Sequence, residues 1–264
     1  MLKAILYYIL FLAEYLITIF LGGFLVGFYM ASNIPSGSHS QQIEGLEESI
    51  YPFIIVIGFL GILIVWLTFG YYKFSRFSLG KVIPAAKWKA MTICTMPILG
   101  FTMVFYSIMN LFHLDFLPKQ MMEMSYLGFL PWNVIGSFIS VYIFFGAIQE
   151  ELIRCGKKRW VQLLTLSIMM LPACMMSVTP SGDINVDLTV LGFITLCYCS
   201  WIYGKTRSTI ILIVLYFVSN LVPFHFESKA LGILLLIAGT ALTIGGFTVL
   251  SRKLPEMLVK DENE

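Results

Sequence analysis

Long apolar stretches alternate with short polar stretches along nearly the whole chain. A membrane-spanning helix needs about 20 mostly apolar residues, and the sequence offers eight such stretches. The predicted spans are 5–30, 50–71, 90–112, 132–153, 160–178, 187–204, 207–223 and 230–251. The seventh is short and follows closely behind the sixth, so we expect these two to form a helical hairpin. The pattern predicts an all-α membrane protein with eight transmembrane helices in one bundle.

Charged residues between the spans set the orientation of the bundle. Alternate connections and the tail are basic, with Lys73, Arg76, Lys81, Lys87 and Lys89, then Arg154, Lys157, Lys158 and Arg159, then Lys205 and Arg207, then Arg252 and Lys253. The remaining connections are acidic or mixed, with Glu44, Glu47 and Glu48, then Asp115, Lys119 and Glu123, then Asp183 and Asp187, then Glu227 and Lys229. Because basic connections stay in the cytoplasm, both termini are predicted to be cytoplasmic.

The chain divides into one membrane domain and a short tail. Residues 1–252 form the predicted polytopic domain, and residues 253–264 form a cytoplasmic tail. Multi-pass insertion into the cytoplasmic membrane follows from this arrangement. Two small-residue spacings, Gly23-x-x-x-Gly27 and Ala241-x-x-x-Gly245, predict close contacts between helices.

The composition also indicates a membrane protein and argues against a soluble domain or a nucleic-acid-binding protein. The 264 residues are 58% hydrophobic and only 12% charged, which is too apolar for an ordinary soluble domain. The lipid bilayer is therefore the expected partner of most of the surface. A basic run or RNA-binding motif is absent from the sequence, so nucleic acid is not an expected partner. We expect neither a cofactor nor a metal site, since the sequence has no Walker loop, no G-x-S-x-G and no H-E-x-x-H.

Polar residues inside apolar spans are candidates for function, because a charge in lipid costs about 3 kcal/mol or more. The fourth span ends in Gln149-Glu150-Glu151. Glu150 and Arg154 are spaced i,i+4, so they can pair on one helical face. The alternative interpretation is a helix leaving the membrane, whose acids simply pair with the basic connection that follows.

The seventh span carries a second polar group. Tyr216 and Asn220 are spaced i,i+4, with Ser219 beside them, and the fifth span carries Cys174 just after a proline. Gln149, Arg154, Cys174 and Ser219 are candidate binding residues. A buried asparagine can also serve only to bond neighbouring helices, so this alternative stays open.

The segment from about 135 to 220 resembles the CAAX protease and bacteriocin-processing (CPBP or Abi) family of intramembrane glutamate proteases. That family carries E-E-x-x-x-R on its fourth helix, F-x-x-x-H on its fifth and H-x-x-x-N on its seventh. The run Gly204-Lys205-Thr206-Arg207-Ser208, followed by Tyr216 to Asn220, is similar to its basic turn, T-G-S, and H-x-x-x-N. The first motif fits in two registers. Aligning on Arg154 places Gln149 at the first acid, whereas aligning on Glu150-Glu151 places Cys155 at the arginine.

The resemblance implies an eight-helix bundle with a cavity facing the cytosol. In the family, a Glu and a His activate water, and His with Asn forms the oxyanion site. Carried onto this chain, the catalytic set would be Glu150, Glu151, Tyr216 and Asn220, with Tyr216 standing where the family has histidine. Leu163 to Met176 contains neither the Phe nor the His of the second motif. Because both histidines are missing, the resemblance implies a divergent and catalytically impaired member.

Three functions remain as hypotheses. The first is a non-peptidase member of the family that binds a membrane partner or peptide, for regulation or for immunity to a secreted bacteriocin-type peptide. The second is an active intramembrane endopeptidase that uses Glu150 and Glu151. The third is a small permease or transporter subunit, for which no inverted repeat is visible in the sequence.

The predicted topology has a direct test. Cysteines introduced at Ser38 and Ser75 are expected to lie on opposite sides of the membrane, since the connections that hold them differ in charge. With the five native cysteines replaced by serine, an impermeant thiol reagent added from the cytoplasmic side should label position 75 and leave position 38 unlabelled. Labelling of both positions from the same side would contradict the eight-span topology.

Overall fold

A computed structural model describes residues 2–33, 61, 79–112, 137–138, 140–175, 186–219 and 228–259. Every regular element in these residues is a helix, which confirms the all-α prediction. The helices are α1 (Leu2–Asn33), a 3-10 turn (Pro84–Ala86) that leads into α2 (Lys87–Leu111), a π-helix (Val141–Gln149) that continues as α3 (Glu150–Arg154), α4 (Arg159–Met175), α5 (Val186–Thr206), α6 (Thr209–Ser219) and α7 (Lys229–Met257). Except for Gly61, the predicted second span lies outside the described residues.

Two of these helices are long and apolar enough to cross a membrane. They are Pro84–Leu111, which includes α2, and Lys229–Met257, which is α7. In the apolar 18-residue stretch of α7, only 17% is buried. In the corresponding stretch of Pro84–Leu111, half is buried. The long apolar helix α7 therefore presents most of its surface outward.

The π-helix lies at the centre of the described bundle. All nine of its residues are buried, and it contacts α1, α4, α5 and α6. Phe144 packs edge-on against Phe11 of α1 at 5.8 Å between ring centroids. A π-helix widens the backbone by bonding i to i+5, which is rare and often found near functional sites. This central segment ends at Gln149, and α3 begins at the next residue, Glu150.

Glycines allow α2 and α7 to pack backbone against backbone. Gly239 faces Gly100, and a Cβ built on Gly239 would lie 2.7 Å from the Gly100 carbonyl oxygen. Two turns later, a Cβ on Gly246 would lie 2.9 Å from the Pro97 nitrogen. Because residues 97 and 100 meet residues 246 and 239 in reverse order, the two helices are antiparallel.

The predicted contact through Ala241 and Gly245 is wrong. Ala241 and Gly245 are both exposed, and a Cβ on Gly245 would meet no atom of the described residues within 4 Å. Gly239 and Gly246 are seven residues apart and so share one face of α7, whereas Gly245 is rotated about 100° from Gly246. The other predicted spacing, Gly23 with Gly27, falls in the part of α1 whose packing is not described.

Three segments that carry predicted cytoplasmic charges meet at one end of the bundle. The Lys81 backbone N–H donates to the Thr206 carbonyl at 2.7 Å, and the Val259 N–H donates to the Lys81 carbonyl at 2.7 Å. Gly80 has a positive φ of 59°, and any Cβ there would collide with the Thr206 carbonyl. The connection before α2, the turn after α5 and the chain after α7 are thus joined through their backbones. We call this region the basic end.

The glycine contact predicts a difference between two alanine substitutions on α7. Gly239→Ala forces a methyl group into the α2 backbone, and overpacking of this kind costs about 1–3 kcal/mol. Gly245→Ala is the matched control, because it has the same helix-propensity gain of up to about 1 kcal/mol and open space around it. Thermal unfolding of the purified protein in detergent should show a lower Tm for Gly239→Ala only. Equal Tm values for the two variants would contradict the packing of α2 on α7.

Candidate functional site

Glu150 is the centre of a charged cluster at the basic end. Its Oε1 accepts a hydrogen bond from Arg154 Nε at 3.2 Å, which confirms the predicted i,i+4 pairing. Its Oε2 accepts from Arg207 Nη1 at 2.7 Å and from the Tyr203 hydroxyl at 3.0 Å. The Glu150 side chain is only 14% exposed. Both carboxylate oxygens therefore serve an internal network of two guanidinium groups and one phenol.

Arg207 reaches Glu150 from an unfavourable backbone conformation. Its φ is 53°, in the left-handed region, where a residue with a side chain costs about 1–2 kcal/mol. The conformation ends α5: the Arg207 N–H donates to the Tyr203 carbonyl at 2.8 Å, and Ser208 Oγ then accepts from the Ile211 N–H at the start of α6. Glycine usually occupies such a position. Arginine at this position makes the ion pair with Glu150, which glycine could not make.

Gln149 is buried beside Glu150 and joins three elements. It is 1% exposed, and its Nε2 donates to Gln162 Oε1 at 3.2 Å and to the Ser200 carbonyl at 2.9 Å. Gln162 Nε2 in turn donates to the Lys157 carbonyl at 2.7 Å. The Gln149 Oε1 meets no donor among the described residues. These bonds fix α4 and α5 to the end of the π-helix.

Glu151 lies apart from this network. The Cys155 thiol is 3.8 Å from Glu151 Oε1, one helical turn away, and Cys155 is exposed. Among the described contacts, none links the Glu151 carboxylate to Glu150, Arg154 or Arg207. The adjacent acids therefore have different partners among the described residues, and the described bonds between helices are made by Glu150.

The candidate residues of α6 lie further along the helix axis than the residue of α6 that packs near the end of the π-helix. Thr209, at the start of α6, packs against Gly146, with its Cγ2 3.4 Å from where a glycine Cβ would be. Tyr216 lies seven residues further, about 10 Å along the axis and away from Arg207. The Ser219 hydroxyl donates to the Tyr216 carbonyl at 2.9 Å, within its own helix. The described contacts therefore do not bring Tyr216 or Ser219 to Glu150.

The side chains of two candidates, Cys174 and Asn220, lie outside the described part of the chain. Asn220 lies just beyond the described end of α6, and Cys174 lies in α4 where only the helical backbone is described. Three residues of the cluster, in contrast, were not predicted from sequence: Tyr203, Arg207 and Gln162. A signal for them existed, since Tyr203 and Arg207 repeat the i,i+4 spacing of Glu150 and Arg154, and Gln162 is polar within an apolar helix.

The arrangement favours structural over acid–base chemistry. A carboxylate has about four acceptor positions, and three donors from the protein already occupy positions on Glu150, namely Arg154, Tyr203 and Arg207. The cluster is suited to hold α3 and the α5–α6 turn together.

Comparison with known proteins does not assign the chain. No protein-family model matches it, and no curated protein or solved structure matches it.

The charged cluster predicts strong coupling between Glu150 and Arg207. In a double-mutant cycle with Glu150→Gln and Arg207→Gln, we expect a coupling free energy of about 1–3 kcal/mol, since both side chains are largely buried. The exposed pair Lys253 and Glu256, at 3.1 Å, is the matched control and should couple by less than about 0.5 kcal/mol. Unfolding free energies in detergent supply the measurement. Additive effects at Glu150 and Arg207 would contradict the pairing.

Proposed function

We propose that the chain is a multi-pass protein of the cytoplasmic membrane, with eight spans and cytoplasmic ends. We further propose that it is a divergent, catalytically impaired member of the CPBP or Abi type. On this proposal it binds a membrane partner or peptide instead of cleaving one. Its role is then regulation or self-immunity to a secreted peptide, an assignment that rests on the family resemblance.

The membrane location is supported by the outward-facing apolar surface. Leu234, Ile237 and Ile244 on α7 are exposed, as are further large apolar side chains on α1 and α4. Soluble proteins rarely leave such extended apolar faces uncovered. The core helix of a soluble protein would be buried, whereas α7 is mostly exposed. The meeting of basic segments at one end agrees with a single cytoplasmic face.

Two local features support the family resemblance. Glu150 pairs with Arg154, as the spacing of the E-E-x-x-x-R motif would require. Arg207 takes the place of glycine in a T-G-S turn, and the backbone at that position has the left-handed conformation that glycine favours. The pairing of Glu150 with Arg154 favours the register that aligns Arg154 with the motif arginine.

The observation that carries the loss of activity is the burial of Gln149. In the register that aligns Arg154, Gln149 stands at the first acid of the motif. An amide cannot accept a proton near neutral pH, and this one is held by Gln162 and the Ser200 carbonyl. The remaining acid of that register, Glu150, is occupied by Arg154, Arg207 and Tyr203. On this proposal Gln149 cannot act as a base, and Glu150 serves the ion pairs between helices.

The proposal predicts that the purified protein has no measurable peptidase activity. Loss of general acid–base help lowers rates by about 10²–10⁴-fold, and here both motif histidines and the first acid are replaced. Peptides with family-type cleavage sites should be incubated with the wild-type chain and with Glu150→Ala and Glu151→Ala variants in lipid nanodiscs. Product formation should be equal in all three samples.

The two variants separate this proposal from the active-endopeptidase hypothesis. Glu151→Ala leaves the Glu150 network intact, so it controls for disruption of the fold by Glu150→Ala. Turnover by the wild-type chain that disappears in both variants would establish a peptidase that uses Glu150 and Glu151. It would also overturn the proposal that the site is catalytically impaired.

A further inference from the structure

The turn between α3 and α4 and the outer face of α4 form one continuous surface with two parts. Its basic part is Lys157, Lys158 and Arg159, and its apolar part is Trp160, Leu164 and Ile168. Gly156, at a φ of 66°, reverses the chain after α3 and starts this turn. We call the two parts together the α4 surface.

Among the described residues, no carboxylate neutralises Lys158 or Arg159 of the α4 surface. The first turn of α4 contains no acidic residue, and no ion pair joins Lys158 or Arg159 to another described residue. The described segments of the basic end (79–89, 150–159, 204–209 and 252–259) hold eleven Lys and Arg against three Glu. Such an excess favours an anionic partner and disfavours a basic one.

The apolar part has the dimensions of one leaflet. Trp160, Leu164 and Ile168 are 63%, 53% and 57% exposed and are spaced i,i+4, so they follow one face of α4. From Trp160 to Ile168 the helix rises about 12 Å, and one leaflet contributes about 15 Å of hydrocarbon. A tryptophan at the boundary of the basic and apolar parts is typical of the headgroup level.

We propose that the α4 surface binds an anionic phospholipid. Lys158 and Arg159 contact the phosphate and any further charge of the headgroup, and an acyl chain lies along Trp160, Leu164 and Ile168. This inference rests on the proposed membrane location. An acidic soluble protein would satisfy the basic part but would leave the apolar strip uncovered, so the pairing of both parts favours a lipid.

Brominated lipids test this proposal because bromine in an acyl chain quenches a tryptophan that it touches. The protein is reconstituted into phosphatidylcholine vesicles that contain equal mole fractions of brominated phosphatidylglycerol or brominated phosphatidylcholine. The signal of Trp160 is the difference between the wild-type chain and Trp160→Phe. We expect stronger quenching of Trp160 by the anionic lipid. Lys158→Gln with Arg159→Gln should weaken this preference by on the order of 30-fold, at about tenfold per 1.4 kcal/mol.

A charge-matched variant separates a site from diffuse attraction. Arg252→Gln with Lys253→Gln removes two charges from the same end but from another helix, and it should keep the preference for phosphatidylglycerol. If the two double variants lose the preference for phosphatidylglycerol equally, the preference arises from the net charge of this end and not from a site, and the proposal is overturned. Displacement of the anionic lipid by a soluble acidic peptide would assign the surface to a protein partner instead.

The same experiment distinguishes failure of the site from failure of the membrane location. A chain that does not insert into phosphatidylcholine vesicles, and whose Trp160 no brominated lipid quenches, would contradict the proposed location itself. A chain that inserts, and whose Trp160 is quenched equally by both lipids, would contradict only the anionic site.

Discussion

The basic end of the bundle depends on one carboxylate, that of Glu150. Arg154 and Arg207 bring two positive charges to within hydrogen-bond distance of it, and Tyr203 adds a neutral donor. Without Glu150 the two guanidinium groups would repel each other. Arg207 would then also hold a strained backbone conformation with nothing to offset its cost. The chain before α2 bonds to the α5–α6 turn, because the Lys81 N–H donates to the Thr206 carbonyl. The chain after α7 bonds to the chain before α2, because the Val259 N–H donates to the Lys81 carbonyl. A single ion pair thus links α3 to three other segments.

A structural acid and a catalytic acid place opposite demands on their surroundings. A catalytic acid needs an open oxygen facing substrate, whereas a buried structural acid needs every oxygen satisfied, because an unpaired buried charge destabilises the fold by several kcal/mol. Glu150 meets the second condition. Gln149 beside it is buried as a neutral amide that fixes α4 and α5 to the π-helix. The polar residues that drew attention to the fourth span therefore act as a junction between helices.

Features governed by local spacing could be predicted from the sequence, and features governed by helix packing could not. The helical character and the pairing of Glu150 with Arg154 follow from apolar length and from the i,i+4 geometry of one helix. Tyr203 and Arg207 lie 53 and 57 residues from Glu150, so their contact depends on how α5 packs against the π-helix. The glycine of α7 that contacts α2 was also not predicted. The small-residue spacing predicted a helix contact at Gly245, whereas the next residue, Gly246, makes the backbone contact with α2. The π-helix itself left no distinct signal, since its residues form an ordinary apolar run.

The central claim concerns where the Glu150 carboxylate points, and the most direct measurement is a structure of the full chain determined in a lipid bilayer. The account predicts that the Glu150 carboxylate contacts the Arg207 guanidinium at hydrogen-bond distance, with the backbone of Tyr216 about 10 Å along the α6 axis from Thr209. A Glu150 carboxylate turned away from Arg207, and sharing an open cavity with Tyr216 and Asn220, would contradict it.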